Sequence, residues 1–152
     1  MTKDFILILP NIRSRFNVGA FFRTADAAGV KKIYLTGITP QPPHPQIDKV
    51  ALGAEKFIPF EKLKQTSTLI KKLKKAGYQI VALEQSPRSV IYDEALYSKK
   101  IALIVGNEVK GLPKTILSLV DLIIEIPMFG RKESLNVGVA GGIAMFAITK
   151  KL

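Results

Sequence analysis

Two short stretches carry the residues best suited to chemistry. "FNVGAFFRTADAAGV" (16–30) sets Asn17 and Arg23 among small and apolar neighbours. "IEIPMFGRKESLNVGVAGGIAMFAI" (124–148) sets Arg131, Lys132, Ser134 and Asn136 in a basic loop ahead of an apolar helix. Four of the five arginines, Arg13, Arg15, Arg23 and Arg131, fall in or beside these two stretches. A guanidinium offers a planar donor fork that matches phosphate, so the clustering points to an anion-handling site rather than a solvated face. Around Arg23, one turn away, lie Gly19, Ala20, Asp26 and Ala27, which leave it room to reach past the helix. An Arg23–Asp26 pair that only braces the helix is the competing account.

A third stretch, "GNEVKGLP" (106–113), is short and flanked by glycines that allow a ligand close to the backbone. Glu108 within it can accept hydrogen bonds or orient nearby amides, and a plain structural turn explains the segment equally well. It has neither the lysine spacing of a P-loop nor a GxGxxG, which argues against a dinucleotide-dependent dehydrogenase.

Composition narrows the options. A chain of 152 residues with 47% hydrophobic content is long enough for one well-buried core, and a single domain spanning 1–152 with no appended RNA-binding domain is expected. The absence of Cys excludes disulfide and thiolate chemistry, and the single His44 leaves too few ligands for a His-rich metal site. His44 lies in the Pro-rich loop "TPQPPHPQ" (39–46) and is expected to face solvent. The N-terminal apolar run is too short for a signal peptide, and Gly, Arg and Lys interrupt every candidate membrane span; a cytoplasmic, membrane-free protein is the expectation. A formal charge of +11 and a pI near 9.9 favour polyanionic partners, nucleic acid first among them. A lysine-rich background composition is the alternative source of that charge.

The elements that must position these residues follow from punctuation and periodicity. Strands are expected at 5–10, 32–37, 78–84, 101–106 and 122–127, with a short Pro-broken edge strand at 55–60. Helices are expected from Asn17, as cap, to Ala28; over 66–77 with Leu69, Ile70 and Leu73 inward; over 113–120; and from Ser134, as cap, to Thr149. A helical turn is expected at 49–54. Near-continuous apolar strands alternating with helices predict an α/β fold, a mostly parallel sheet with helices on both faces. The unusual loops, 11–19, 37–54, 84–90, 106–112 and 127–134, all follow strands and so share one rim, where such sheets bind ligands. Asn136, placed inside the first turn of the last helix, has no structural reason to be there. Gly138, Gly141 and Gly142 weaken that helix by roughly 1 kcal/mol each relative to Ala, so another segment or another subunit must approach it closely.

With these segments in order, "NIRSRFNVGAFFRTADAAGV", "IVGNEVKGLP" and "IEIPMFGRKESLNVGVAGGIAMF" resemble motifs 1, 2 and 3 of the SpoU (TrmH-type) RNA ribose 2′-O-methyltransferases of the SPOUT superfamily. The likeness covers essentially the whole chain. It implies a C-terminal deep trefoil knot, S-adenosylmethionine held in the knot, and a homodimer packed through the knot region. It also implies that Leu83, Gly106, Ile126, Met128, Ser134 and Leu135 line the cofactor pocket, that Arg23 is the catalytic arginine, and that Asn17, Glu108, Ser134 and Asn136 support it.

The implied reaction moves a methyl group from a sulfonium to a ribose hydroxyl, which requires in-line alignment and loss of the hydroxyl proton. With no His or Cys on the rim, the resemblance gives Arg23 the role of base. A guanidinium is ordinarily protonated, so an Arg23 that holds phosphate and stabilises the developing alkoxide is the second option. Arg13, Arg15, Arg131 and Lys132 are the expected RNA phosphate contacts. Transfer RNA is expected ahead of ribosomal RNA, because a domain without appendages resembles the tRNA-acting members. A non-catalytic RNA-binding protein that retains the fold, and a base-nitrogen methyltransferase of the same superfamily, are the alternatives.

Overall fold

Apolar runs four to seven residues long and helices that bury one side each alternate along the chain, and the computed structural model describes residues 3–152. In chain order the elements are β1 (Asp4–Pro10), α1 (Arg15–Ala28), β2 (Lys32–Thr36), α2 (Pro45–Ala51), a 3-10 turn (Ala54–Lys56), β3 (Phe60–Leu63), α3 (Thr66–Lys75), β4 (Gln79–Leu83), β5 (Val90–Ile91), β6 (Lys100–Val105), α4 (Lys114–Leu117), β7 (Leu122–Glu125) and α5 (Val137–Lys151). The seven strands form one sheet in the order β3-β2-β1-β6-β4-β7-β5. Every strand pairing is parallel, so all loops that follow strands emerge on one edge.

The sheet is buried on both faces, and the two-residue period of a strand sorts its side chains between them. Phe5, Leu7 and Leu9 of β1 join Phe21 and Phe22 of α1, Ile47 of α2, and Met145 and Ile148 of α5. Ile6 and Ile8 point the other way, to Leu69, Ile70 and Leu73 of α3 and Ile116 of α4. Helices α1, α2 and α5 therefore cover one face, and α3 and α4 the other.

Several boundaries differ from the sequence expectation. Ser14, not Asn17, caps α1: its Oγ accepts from the Asn17 backbone N–H at 3.1 Å, which puts Asn17 inside the first turn. At the other end Asn136, not Ser134, is the cap. Its Oδ1 accepts from the amides of Gly138 at 2.8 Å and Val139 at 3.2 Å, so Asn136 has a structural duty after all. The turn expected at 49–54 is the end of α2, which starts at Pro45 after a His44 cap whose Nδ1 accepts from Gln46 N–H at 3.1 Å. His44 is half-buried rather than fully exposed. The edge strand begins at Phe60, where the chain has passed Pro59; 54–56 instead form the 3-10 turn. The two-residue β5 has no counterpart in the expectation.

Gly141 of α5 is explained by α1. A Cβ on Gly141 would lie 2.5 Å from Phe21 Cε1, inside the core, so only glycine allows the two helices this close. At Gly141 the segment that approaches the last helix belongs to the same chain.

Candidate active site

Four adjacent strands, β1, β6, β4 and β7, end side by side on the loop edge of the sheet. Their loops are tied to one another in that same order by side chains that accept or donate across the gaps. From the β6 loop, Glu108 reaches the start of α1: its carboxylate accepts the N–H of Ser14 at 2.8 Å and that of Arg13 at 3.1 and 3.2 Å. Asn107 adds a bond from its Nδ2 to the Asn11 carbonyl at 2.6 Å. From the β4 loop, Glu84 accepts the N–H of Leu112 at 2.8 Å. Next along, Gln85 Nε2 donates to the Glu133 carbonyl in the β7 loop at 2.7 Å, and Ser89 bonds Glu125 at the end of β7.

Asn17 sits where three segments meet. It is 5% exposed, one of three buried polar residues among those described. Its Nδ2 donates to Glu108 Oε2 at 3.4 Å, and its Oδ1 accepts from Asn136 Nδ2 at 3.4 Å. A buried amide with both ends engaged holds its orientation, because turning it would strand a donor and an acceptor. The Glu108 carboxyl feels opposing influences. Burial pushes it up, but the amides of Arg13, Ser14 and its own backbone, with Asn17, outweigh burial and hold it below the ordinary carboxylate range. Glu108 is thus a fixed anion rather than a proton donor near neutral pH.

These loops enclose a cavity of about 420 Å³. Two glycines let the loops of its wall pack closely. A Cβ on Gly106 would lie 2.8 Å from Gly111 Cα, and one on Gly111, at φ +66°, would collide with Glu84. All six residues expected to hold a cofactor, Leu83, Gly106, Ile126, Met128, Ser134 and Leu135, line this cavity, as do Asn17, Glu108 and Asn136. Arg23 does not. It is exposed on α1, six residues beyond Asn17, and it forms no ion pair with Asp26 within 4.0 Å. Arg13, Arg15, Arg131 and Lys132 are exposed on the rim outside the cavity. Of the five expected rim loops, four contribute lining residues; 37–54 contributes none.

Sequence reasoning missed Glu84, Gln85 and Glu125 as lining residues. The available signal was a polar residue at or just past the end of an apolar strand on the loop edge. With Glu108, two of these place three carboxylates around a cavity in a chain of net charge +11. Such a pocket complements a cationic ligand. Among the described residues no group of three or more His, Cys, Asp or Glu is arranged to hold a metal ion, and no helix is long and apolar enough to cross a membrane.

Beside the cavity, α1 and α5 form an apolar groove of about 480 Å³ that shares Asn136 with it. Phe16 and Phe146, which line the groove, are more than half exposed, and Val139 and Ile143 extend the patch.

Known proteins resemble this chain in sequence and in fold. The family model described as the SpoU rRNA methylase family matches residues 4–146. A tRNA (guanosine(18)-2′-O)-methyltransferase of Aquifex aeolicus is 36% identical over 145 residues, covering 95% of this chain and 68% of that protein. The 23S rRNA (guanosine-2′-O-)-methyltransferase RlmB of Pseudomonas putida is 31% identical over 150 residues, 99% of this chain and 60% of its own length. The crystal structure of an AdoMet-bound rRNA methyltransferase from Sinorhizobium meliloti superposes with a TM-score of 0.93 at 33% identity, covering 100% of this chain and 58% of that one. The chain therefore spans roughly three-fifths to two-thirds of these relatives.

Proposed function

Because the chain belongs to the SpoU rRNA methylase family, we propose that it transfers a methyl group from S-adenosylmethionine to a ribose 2′-hydroxyl of RNA, at a guanosine. The observation that carries this is the convergence at Asn17, where segments 91 and 119 residues apart along the chain, around Glu108 and Asn136, close one wall of the cavity. Both named relatives act on guanosine, one in tRNA and one in 23S rRNA. Transfer RNA is the first substrate to assay, since the tRNA relative has the higher identity.

The cavity fits the cofactor. Its volume suits one ligand of that size, Gly106 and Gly111 expose backbone to it, and its carboxylates suit a sulfonium and an ammonium group. Leu83, Gly106, Ile126, Met128, Ser134 and Leu135 would hold it, and when bound it supplies an already activated methyl group. The protein's own part is alignment and charge. Glu108 fixes the start of α1, Asn17 and Asn136 hold the wall beside Ser134, and the rim cations Arg13, Arg15, Arg131 and Lys132 seat the RNA backbone. Arg23, outside the cavity of its own chain, holds a substrate phosphate and stabilises the alkoxide as the proton leaves to phosphate or water.

A homodimer completes the reading, with a second copy covering the apolar α1–α5 groove. Arg23 follows Ala20 by one turn and precedes Thr24 of that groove, which supports a position for it at the dimer edge. A trefoil knot is supported by the route of segment 126–136, which lines the cavity beside the 84–85 and 106–111 loops before α5 packs on α1. A cytoplasmic location suits such a substrate. Calorimetry with S-adenosylmethionine, then incubation of total RNA with labelled cofactor and nucleoside mass spectrometry, tests the function. Expected are measurable cofactor heat and 2′-O-methylguanosine. A base-methylated product, or binding of RNA with no cofactor heat, refutes it.

A further inference from the structure

Phe129 is 93% exposed, the most open large apolar side chain among those described. It follows Met128, which lines the cavity, and precedes Gly130, Arg131 and Lys132 on the rim. The β6 loop on the same cavity carries Val109, 78% exposed. Neither side chain serves the core.

The size of the cavity assigns Phe129 a task. About 420 Å³ suits one ligand of cofactor size. With the cofactor in place, an RNA ribose would meet the methyl group at the mouth, with its base drawn out of the stack beside the rim. Proteins that handle unstacked RNA bases hold them on aromatic faces set among backbone-binding cations. Phe129 has that setting, with Arg131 and Lys132 two and three residues away. We propose that Phe129 is the platform on which an unstacked nucleobase of the substrate RNA stacks at the cavity mouth. This rests on the RNA-methyltransferase reading, which supplies the ribose and the site.

The chain has no Trp, so Phe129→Trp introduces a single reporter at the proposed platform. Titration with total transfer RNA and with 23S rRNA is expected to quench that emission, saturating together with filter binding. In the wild-type background, Phe129→Ala and Phe129→Leu should weaken RNA binding about tenfold to a hundredfold. Phe129→Tyr should retain it, and the affinity for S-adenosylmethionine, measured by calorimetry, should change less than about twofold in all variants. Because Phe129 is exposed, none of these should shift the melting temperature. A Phe129→Leu protein that binds RNA like wild type, or indole emission from the Phe129→Trp protein that is indifferent to saturating RNA, overturns the proposal. So does a change of oligomeric state in Phe129→Ala, which would make Phe129 an interface residue. Wild-type protein that binds RNA, with normal quenching in the Phe129→Trp variant, but yields no methylated nucleoside refutes the methyltransferase reading alone. Wild-type protein that binds no RNA refutes both.

Discussion

Glu108→Ala removes one carboxylate from the junction of two loops and a helix start. Four bonds vanish: two to the Arg13 amide, one to the Ser14 amide and one to Asn17 Nδ2. The Arg13 amide is exposed, and water replaces the carboxylate there at little cost. The Ser14 amide is partly buried and its bond is short, at 2.8 Å, while Asn17 is 5% exposed and is left with an unpaired donor. A charged hydrogen bond is worth about 1.5–3 kcal/mol, and screening at this half-open site reduces the net loss to about 1–2 kcal/mol. In a chain of this length that is a fall in melting temperature of about 2–8 °C. The sign with pH follows from the lowered pKa of the carboxyl. Its contribution is fully present above the unfolded carboxylate range and is lost as pH falls through the depressed folded value. Thermal melts by circular dichroism, at one protein concentration, should show wild type above the variant at pH 7 and the gap closing in acid. Glu108→Gln, which keeps an acceptor and loses the charge, should fall between them. Equal melting temperatures at pH 7, or a gap unchanged in acid, would refute the account of Glu108 as a fixed anionic clamp.

Arg23→Ala should abolish methyl transfer while calorimetry still finds S-adenosylmethionine binding, because Arg23 lies outside the cavity; near-normal turnover would remove it from the mechanism. Gly141→Ala gains helix propensity of about 1 kcal/mol but drives a methyl group into buried Phe21, for a net loss of about 1–2 kcal/mol in denaturant melts. Gly142→Ala, whose new methyl would meet only Thr24 Cγ2 at 3.3 Å, should stay within about 1 kcal/mol of wild type, and similar losses in both would contradict the helix contact described. Ile143→Asp combined with Phe146→Asp places charge on the exposed α1–α5 face; sedimentation velocity should give a dimer for wild type and a monomer for the double variant, and a monomeric wild type would refute the proposed dimer.

The layout of the site was legible because strand ends are legible. Apolar runs at 5–10, 101–106 and 122–127 announce parallel strands, and parallel strands put Asn17, Glu108 and Asn136 on one edge whatever the order in the sheet. What the sequence did not resolve was which of two polar neighbours caps a helix. Ser14 and Asn17, like Ser134 and Asn136, are all good cap residues, and the point where the backbone turns helical decides between them: α1 starts directly after Ser14 (ψ 119°) and α5 directly after Asn136 (ψ 137°). The start of α2 was hidden by its prolines, which read as loop although Pro45 suits a first helical turn. Glu84 escaped notice because its function depends on Leu112, 28 residues later, and no local pattern announces that bond. Strand β5, two residues long, carries no periodicity to detect.

Strand order also has a cost during synthesis. One edge of β1 pairs with β2, but the other pairs with β6, so Asp4 waits for Lys100 and Phe5 for Ile101. At about 5–20 residues per second, the ribosome takes about 5–20 s to deliver that partner. Throughout that interval an apolar strand edge, Phe5 to Ile8, stands open to other nascent chains. The same pairing that centres β1 in the finished sheet thus leaves it half-paired until the sixth strand has emerged.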